Sequence, residues 1–224
     1  MIVLSIAALA ACAPATAVSS PANTIITAVP TLVSSTDTNV PPVIPETGST
    51  ITTEPATDSN LACGGGATSA SVTPSLAEGP YYKSGSPEQA NLYQEGMPGT
   101  KIVVTGYVYD TNCQPVANAW LDFWQADANG NYDNSGYTLR GHQYTDASGR
   151  FQLTTVVPGL YPGRTEHIHV KVQAPDGQVI TSQLFFPGVS QNNEDGIYNA
   201  GLLLSITETG DGLQGQYNFV VPTS

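Results

Sequence analysis

The amino-acid sequence predicts an all-β fold, an antiparallel β-sandwich that follows a disordered N-terminal tether. From about residue 61 the chain consists of short stretches rich in β-branched and aromatic residues, the composition that strands favour. Turn sequences such as Asn129-Gly130 and Asp176-Gly177 separate several of these stretches at hairpin spacing. No stretch has the apolar periodicity of an amphipathic helix. Together these observations favour two packed antiparallel sheets.

The predicted strands follow one another at short intervals, each bounded by turn residues. In chain order they are KIVVTGYVYD (101–110), ANAWLDFWQA (117–126), GRFQLTTVV (149–157), EHIHVKVQA (166–174), GQVITSQLFF (177–186), AGLLLSITE (200–208) and QYNFVVP (216–222). RGHQYTD, which begins at residue 140, is expected to start a further strand. These elements predict one folded catalytic or binding domain over residues 61–224.

Residues 1–12 are predicted to form a signal peptide. MIVLSIAALAAC is an apolar run much shorter than the roughly 20 residues of a membrane-spanning helix, and it ends in small residues. The segment Leu9-Ala10-Ala11-Cys12 is similar to the cleavage box of bacterial lipoproteins, which makes Cys12 a candidate for lipidation. Ordinary cleavage is the alternative. The sequence therefore predicts an exported protein, extracellular or at the cell surface, whose membrane attachment would be this lipid.

Residues 13–60 are predicted to be a disordered linker, because they consist mainly of Ser, Thr, Pro, Ala and Val. Such a stretch cannot bury enough apolar surface to offset the entropy lost on ordering. The whole chain has a net charge of -12, and no Lys or Arg precedes Lys83. This acidity argues against a nucleic-acid partner.

The cysteines fit an exported domain. If Cys12 carries a lipid, Cys63 and Cys113 remain as an even pair in an oxidising compartment, and we expect a disulfide between them. Two buried free thiols are the alternative.

His167-Ile168-His169 is the first indication of a metal site. Alternation along a strand places both imidazoles on one face and Ile168 on the other. Glu166 is adjacent to His167 and would point away from them, which argues against a site of two histidines and a carboxylate. A zinc site of three histidines that includes His142 remains open from spacing alone.

Two tyrosines favour a different metal. Tyr161 precedes His167 by six residues, and Tyr132 follows the Asn129-Gly130 turn. A phenol binds a metal as phenolate only when a strongly acidic cation lowers its pKa. Phenolate oxygens together with imidazoles favour non-haem Fe(III) over zinc or Cu(I).

Six separated motifs make the chain similar to the intradiol ring-cleavage dioxygenases, and most similar to their small exported bacterial members. The resemblance covers about residues 74 to 186. Its motifs are Leu76-Ala77-Glu78-Gly79-Pro80-Tyr81-Tyr82, Trp124-Gln125-Ala126-Asp127 with Gly130-Asn131-Tyr132, Arg140-Gly141 with Thr145-Asp146 and Gly149, Pro158-Gly159-Leu160-Tyr161, Arg164, and His167-Ile168-His169.

The resemblance implies an enzyme that uses Fe(III) and O2 to cleave a catechol-type ring between its two hydroxylated carbons, giving a cis,cis-muconate-type diacid. It implies these roles: Tyr132, Tyr161, His167 and His169 as metal ligands; Tyr161, Arg164 and Gln183 as catalytic groups; Gly79, Pro80 and Tyr81 as the substrate-binding segment. The chain lacks the helical N-terminal region of the cytoplasmic catechol enzymes, so their oligomeric state is not carried over. Catechol-like rings are favoured over protocatechuate.

Three alternatives remain at this point. A cell-surface β-sandwich that binds carbohydrate or protein would explain the tether and the aromatic residues. A zinc hydrolase would use His142 together with the histidine pair. An inactive dioxygenase would keep the fold and the iron site without catalysis.

Overall fold

The computed structural model describes residues 61–223. The predicted signal peptide over 1–12, the lipidation candidate Cys12 and the predicted linker over 13–60 therefore lie outside the described residues. Within residues 61–223, no helix is long and apolar enough to cross a membrane.

The described chain forms nine strands and two short 3-10 helices, Ser190–Asn193 and Ala200–Leu202. The strands are β1 Lys101–Tyr109, β2 Trp120–Trp124, β3 Arg140–Tyr144, β4 Arg150–Val156, β5 His167–Gln173, β6 Ile180–Phe185, β7 Ser205–Thr209, β8 Gly212–Gln216 and β9 Phe219–Val220. One sheet has the order β4-β1-β8-β7, with β9 also paired to β1, and the other has the order β3-β2-β5-β6. The predicted all-β sandwich is confirmed.

Among the nine strands of the described residues, parallel pairing occurs only at β1. β1 pairs antiparallel with β4 but parallel with both β8 and β9. β1 alternates buried and half-buried residues, and Ile102, Val104 and Val108 are fully buried. The buried residues share one face of the strand and the half-buried residues share the other. β1 therefore packs one face against the core.

Strand β8 was absent from the sequence prediction, and the last two predicted strands are shorter than expected. β8 contains polar residues and Gly215, whose added Cβ would lie 3.3 Å from Ile102 and 3.4 Å from Val104. A strand held by close backbone approach rather than by apolar side chains gives a weak hydrophobic signal. AGLLLSITE begins with a 3-10 helix, and QYNFVVP contributes the last residue of β8 and the two residues of β9.

The sheet β3-β2-β5-β6 has an apolar inner face and a polar outer face. Ile168, Val170 and Val172 of β5 have no solvent exposure and lie in the core. Alternation then places the intervening residues of β5, including the histidine pair, on the outer face. The two histidines are thus carried by a strand of the sheet rather than by a loop.

The segment from residue 73 to 92 connects the two sheets and covers part of this outer face. Thr73 N donates to Val220 O at 2.9 Å, Leu76 N donates to Thr181 O at 2.9 Å, and Gln89 N donates to His142 O at 2.8 Å. The segment therefore runs from β9 past β6 to β3, and it crosses the outer face near the histidine pair.

The expected disulfide is present in the structure. Cys63 and Cys113 are bonded, with their Cα atoms 5.3 Å apart and a sequence separation of 50 residues. The bond joins the start of the described region to the turn after β1, where Cys113 N donates to Asp110 O at 3.0 Å.

Candidate metal centre

The histidine pair lies at the centre of the outer face. His169 is opposite Trp124 of β2 and Gln183 of β6 in the sheet register, and His167 is opposite Phe185. Both imidazoles are almost fully buried, at 2% and 1% exposure. Ile168 lies in the core, as the alternation predicted.

A tight turn places Tyr161 beside this pair. Arg164 N donates to Tyr161 O at 3.0 Å, with Pro162 and Gly163 between them. Gly163 has φ +77°. Proline followed by a residue of positive φ is the pattern of a type II turn. The Pro-Gly sequence thus brings the side chains of Tyr161 and Arg164 to the same side of the cavity.

A second loop delivers Tyr132. Asp127 accepts hydrogen bonds at Oδ1 from Asn129 N and Asn131 N, at 2.8 and 2.9 Å. Gly130 has φ +81°, and a Cβ there would lie 2.2 Å from Leu160 O. Only glycine allows this approach. The loop that ends at Tyr132 therefore packs directly against the segment that carries Tyr161.

The four side chains converge on one point. Nε2 of His167 lies 3.1 Å from Nε2 of His169. The same atom lies 3.5 Å from Tyr132 Oη and 3.5 Å from Tyr161 Oη. His167 Nδ1 lies 2.6 Å from Thr165 O, so that nitrogen carries the proton and donates. The lone pair of His167 Nε2 therefore faces the other three donor atoms.

Burial sets the protonation of these groups. Burial, with a contribution from the Arg164 charge, lowers the pKa of His167 to about 4. Burial also lowers the pKa of His169 well below its ordinary value, so both imidazoles are neutral near pH 7. Burial, followed by the neighbouring Tyr161, raises the pKa of Tyr132. A phenolate at Tyr132 therefore requires a compensating cation.

The arrangement fits a ferric ion. Two atoms that bind one metal at about 2.1 Å and at roughly a right angle lie ~3 Å apart, close to the separation of the two Nε2 atoms. Two phenol oxygens and two neutral imidazoles are the donors that a hard, acidic cation selects. Within residues 61–223, no group of three or more His, Cys, Asp or Glu side chains gathers, so the candidate centre depends on its tyrosines.

Arg164 is held in place by three side chains. Its Nε donates to Asp195 Oδ2 at 2.9 Å, its Nη2 donates to Gln183 Oε1 at 2.6 Å, and its Nη1 approaches Tyr161 Oη at 3.3 Å. Gln183 is fully buried, and its Nε2 donates to Ala77 O at 3.1 Å. The guanidinium is therefore fixed beside Tyr161 at the edge of the donor cluster.

The segment with Gly79, Pro80 and Tyr81 contacts the centre at His169 and at Tyr132. Gly79 has φ +75°, and a Cβ there would lie 3.5 Å from His169 Cε1. The Tyr81 ring stacks on the Tyr132 ring, with centroids 4.3 Å apart and an interplanar angle of 14°. Pro80 joins the two positions. The structure thus brings all three residues of the predicted substrate-binding segment to the centre.

Arg140 holds the segment of Tyr81 and the loop of Tyr132 in place. The sequence motif that contains Arg140 did not predict this role. Its Nη1 donates to Tyr81 O at 2.7 Å, and its Nε and Nη2 donate to Asp133 O at 3.1 and 3.0 Å. Arg140 is only 1% exposed. A buried guanidinium that binds two carbonyls in this way holds the Tyr81 and Tyr132 loops at a fixed separation.

Asp195 and Trp124 are further residues of the site that sequence reasoning missed. Asp195 lies outside the sequence motifs, and nothing in the sequence distinguishes it from an ordinary carboxylate in a surface loop. Trp124 stacks on His169, with centroids 4.6 Å apart and an interplanar angle of 7°. Trp124 belongs to a sequence motif, but the sequence does not show which strand lies beside it. Only the strand register in the structure places it opposite His169.

His142 and Glu166 are not part of the cluster. His142 Nδ1 lies 2.8 Å from Ser86 O and 3.1 Å from Ser86 Oγ, on the part of the outer face beyond Arg140. Glu166 makes no hydrogen bond or ion pair with another residue of the described part of the chain. These positions argue against the three-histidine zinc site and against a carboxylate ligand.

A cavity of about 260 Å³ opens beside Tyr161. Leu160, Arg164, Gln191, Glu194 and Asp195 contribute to its walls. Its size suits a single substituted aromatic ring. It lies on the side of Tyr161 where Arg164 is fixed.

Comparison with known proteins places this geometry in context. The family model described as "Dioxygenase" matches residues 77–221. The chain is 34% identical over 117 residues to a protocatechuate 3,4-dioxygenase beta chain from Burkholderia cepacia, covering 44% of this chain and 50% of that protein. The chain spans about half the length of the curated relatives it matches.

Solved structures are similar as well. The dioxygenase domain of a dioxygenase carbohydrate-binding protein fusion from Streptomyces sp. SirexAA-E matches with a TM-score of 0.67 and 47% identity, over 69% of this chain and 100% of that one. A 3-chlorocatechol 1,2-dioxygenase from Rhodococcus opacus 1CP matches with a TM-score of 0.64 and 28% identity, over 68% and 73% of the two chains.

Proposed function

Since the chain belongs to the intradiol ring-cleavage dioxygenase family, we propose that it uses non-haem Fe(III) and O2 to cleave catechol-type rings between the two hydroxylated carbons. The product would be a cis,cis-muconate-type diacid. The observation that carries the proposal is the convergence of Tyr132, Tyr161, His167 and His169 on one buried point. These four side chains are the proposed ligands.

Bound Fe(III) would supply Lewis acidity and a template for the two catechol oxygens. Tyr161 Oη is the proposed acceptor of a proton from a substrate hydroxyl, since Tyr161 lines the cavity and its Oη lies 3.3 Å from Arg164 Nη1. Arg164 would then stabilise negative charge on the ring, because its guanidinium is already oriented by Asp195 and Gln183. A donor held in advance costs no reorganisation during the reaction.

The covering segment would exclude water and orient the ring. Tyr81 is fixed by stacking on Tyr132 and by the Arg140 hydrogen bond to its carbonyl. Gly79 leaves the space above His169 free of a side chain. A fixed pocket of this kind positions a planar substrate against the reacting groups.

The cavity walls favour a ring without a carboxylate. Arg164 is the one cation among the described residues that line the cavity, and its Nε and Nη2 are already bonded to Asp195 and Gln183. Glu194 on the same wall would repel a substrate carboxylate. We therefore propose catechol rather than protocatechuate as the substrate class.

The experiment is a visible absorption spectrum of the protein purified in air, before and after anaerobic addition of catechol, with iron quantified on the same sample. A broad phenolate-to-iron band that shifts with catechol, at about one iron per chain, is expected. Admission of O2 should then give a muconate-type product. A protein that stays colourless after ferric reconstitution would contradict the iron site, and a coloured protein without product would indicate an inactive dioxygenase.

We also propose that the protein is exported, with Cys12 as a lipid attachment site. The proposal is supported by the apolar run before Cys12 and by the disulfide, a bond typical of oxidising compartments. Fractionation of the native host, with metabolic labelling by a fatty acid, tests both points. Unlabelled protein in the cytoplasm would contradict them.

A further inference from the structure

The outer face of the sheet β3-β2-β5-β6 is built in rows of neighbouring side chains. The row at the metal centre contains Arg140, Trp124, His169 and Gln183, and the next row contains His142, Asp122 and Lys171. The last row contains Tyr144, Trp120 and Gln173, each directly opposite its neighbour in the register. We call this last row the aromatic row.

The middle row is covered by the segment that precedes β1. Lys171 forms an ion pair with Glu78. Asp122 accepts hydrogen bonds from Tyr82 Oη at 3.1 Å and from Ser86 Oγ at 2.7 Å. The charged groups of this row therefore have partners inside the domain and leave nothing for a ligand.

The aromatic row, in contrast, is open. It forms one side of a cavity of about 370 Å³ that is also lined by Asn118 and Asp176. Tyr144 is 45% exposed. Trp120 and Trp124 are four residues apart on one strand, so the cavity lies about 13 Å along β2 from the metal centre.

The polar groups around this cavity retain unused hydrogen-bonding capacity. Neither the Asn118 amide nor the Asp176 carboxylate is hydrogen-bonded to another residue of the described region. The Tyr144 hydroxyl is likewise without a partner within residues 61–223. Gln173 Nε2 donates to Gly177 O at 2.8 Å, which leaves Gln173 Oε1 available as an acceptor.

The chemistry of the cavity points to a neutral, hydroxyl-rich ligand. Its described lining has two aromatic rings, two amides, one carboxylate and no cation. It therefore offers nothing to a phosphate or carboxylate. Rings give flat apolar contact, and amide and carboxylate groups bind hydroxyls from the side. A sugar ring, with C-H groups on its faces and hydroxyls around its edge, matches both features.

We propose that the aromatic row, with Asn118 and Asp176, is a saccharide-binding subsite separate from the candidate metal centre. Adjacent strands lie about 4.8 Å apart, so the row from Tyr144 to Gln173 extends ~10 Å. That length accommodates about two sugar rings side by side. A neutral polysaccharide chain is the class of ligand, and such a subsite would hold the domain against a polysaccharide surface.

The test uses the full chain loaded with iron. Depletion assays on insoluble cellulose and xylan, and calorimetric titration with cellohexaose and xylohexaose, measure binding to the wild type and to Trp120→Ala and Tyr144→Ala. We expect saturable binding to at least one of these glycans, weakened about tenfold or more in each variant. Tyr109→Ala is the matched control, because Tyr109 stacks with Tyr107 on the other sheet. It should bind as the wild type does.

Other outcomes would overturn the proposal. If the protein binds none of the four glycans, or if both variants bind as tightly as the wild type, the proposed subsite is contradicted. Binding of phenolic oligomers in place of sugars would assign the cavity to aromatic ligands. Self-association that Trp120→Ala abolishes would identify a second copy of the chain as its occupant. Tyr144→Ala alters an exposed residue at the sheet edge, so it still tests the proposal if Trp120→Ala fails to fold.

Discussion

Arg164 and Asp195 form a part-buried ion pair, with Arg164 Nε 2.9 Å from Asp195 Oδ2. Asp195 is 31 residues later in the chain and also accepts a hydrogen bond from Thr165 N at 3.0 Å and from Ile197 N at 3.0 Å. One carboxylate thus ties the loop after β6 to the turn that carries Tyr161 and Arg164.

Replacement of Asp195 by Asn should lower kcat for ring cleavage by about tenfold to a hundredfold, with iron content unchanged. The amide keeps a hydrogen-bond acceptor but removes the charge that orients Arg164. Steady-state kinetics with catechol, together with iron analysis, check this. Asp211→Asn, in the turn between β7 and β8, is the control. Loss of iron in Asp195→Asn would instead indicate a general structural role.

The same pair predicts a pH dependence of stability. Burial alone would raise the pKa of Asp195, but the hydrogen bonds from Ile197 N and Arg164 outweigh it, and the pKa lies below its ordinary value. A carboxyl whose pKa is lowered by folding stabilises the protein above its unfolded pKa of about 3.9 and loses that contribution as pH falls through the folded pKa.

The difference in the free energy of unfolding between wild type and Asp195→Asn should therefore be constant near pH 7 and shrink below about pH 4. Urea unfolding at several pH values, with equal iron content in both proteins, measures it. A difference that does not change with pH would contradict the assignment.

The four proposed metal ligands could be named from the sequence because each sits in a short local motif. Alternation alone predicted that His167 and His169 share one face of a strand, whereas the ligand roles of the two tyrosines were implied by the resemblance. Tyr132 lies in the loop between β2 and β3 rather than at a strand end. The contacts of Arg140, Trp124 and Asp195 were not predictable in this way. Each depends on pairing between segments distant in sequence, which no local period encodes. Strand β8 was missed for a related reason, since Gly215 packs by close approach and carries no apolar side chain.

Two histidine variants separate the iron centre from a three-histidine zinc site. His169→Ala should abolish the phenolate-to-iron band and reduce bound iron severalfold, because His169 Nε2 is one of the converging donors. His142→Ala should retain both the band and the iron, since His142 contacts Ser86 rather than the cluster. Metal analysis and visible spectra check both. Loss of metal in His142→Ala would favour the zinc alternative.

Gly79→Ala should impair substrate binding. A methyl group there would lie 3.5 Å from His169 Cε1 and would narrow the space above that ring, next to the proposed metal ligands. Positive φ at that position adds a backbone cost of about 1 kcal/mol. Gly96→Ala is the matched control, because Gly96 has φ +81° and no atom within 4 Å of an added Cβ. Only Gly79→Ala should raise KM for catechol. An equal increase in both variants would mean that backbone strain, and not the contact with His169, causes the effect.

Removal of the disulfide should destabilise the domain without changing the site. The Cys63–Cys113 bond closes a loop of 50 residues, and the loss of its constraint on the unfolded chain costs about 4 kcal/mol in the chain-entropy treatment. Urea unfolding of a Cys63→Ser, Cys113→Ser double variant measures the loss. Dithiothreitol should lower the stability of the wild type towards that of the variant and leave the variant unchanged. The cysteines lie beside the turn after β1, away from the histidine pair on β5, so the folded variant should keep the phenolate-to-iron band. A destabilisation below about 1 kcal/mol would mean that the unfolded chain is already compact around this loop.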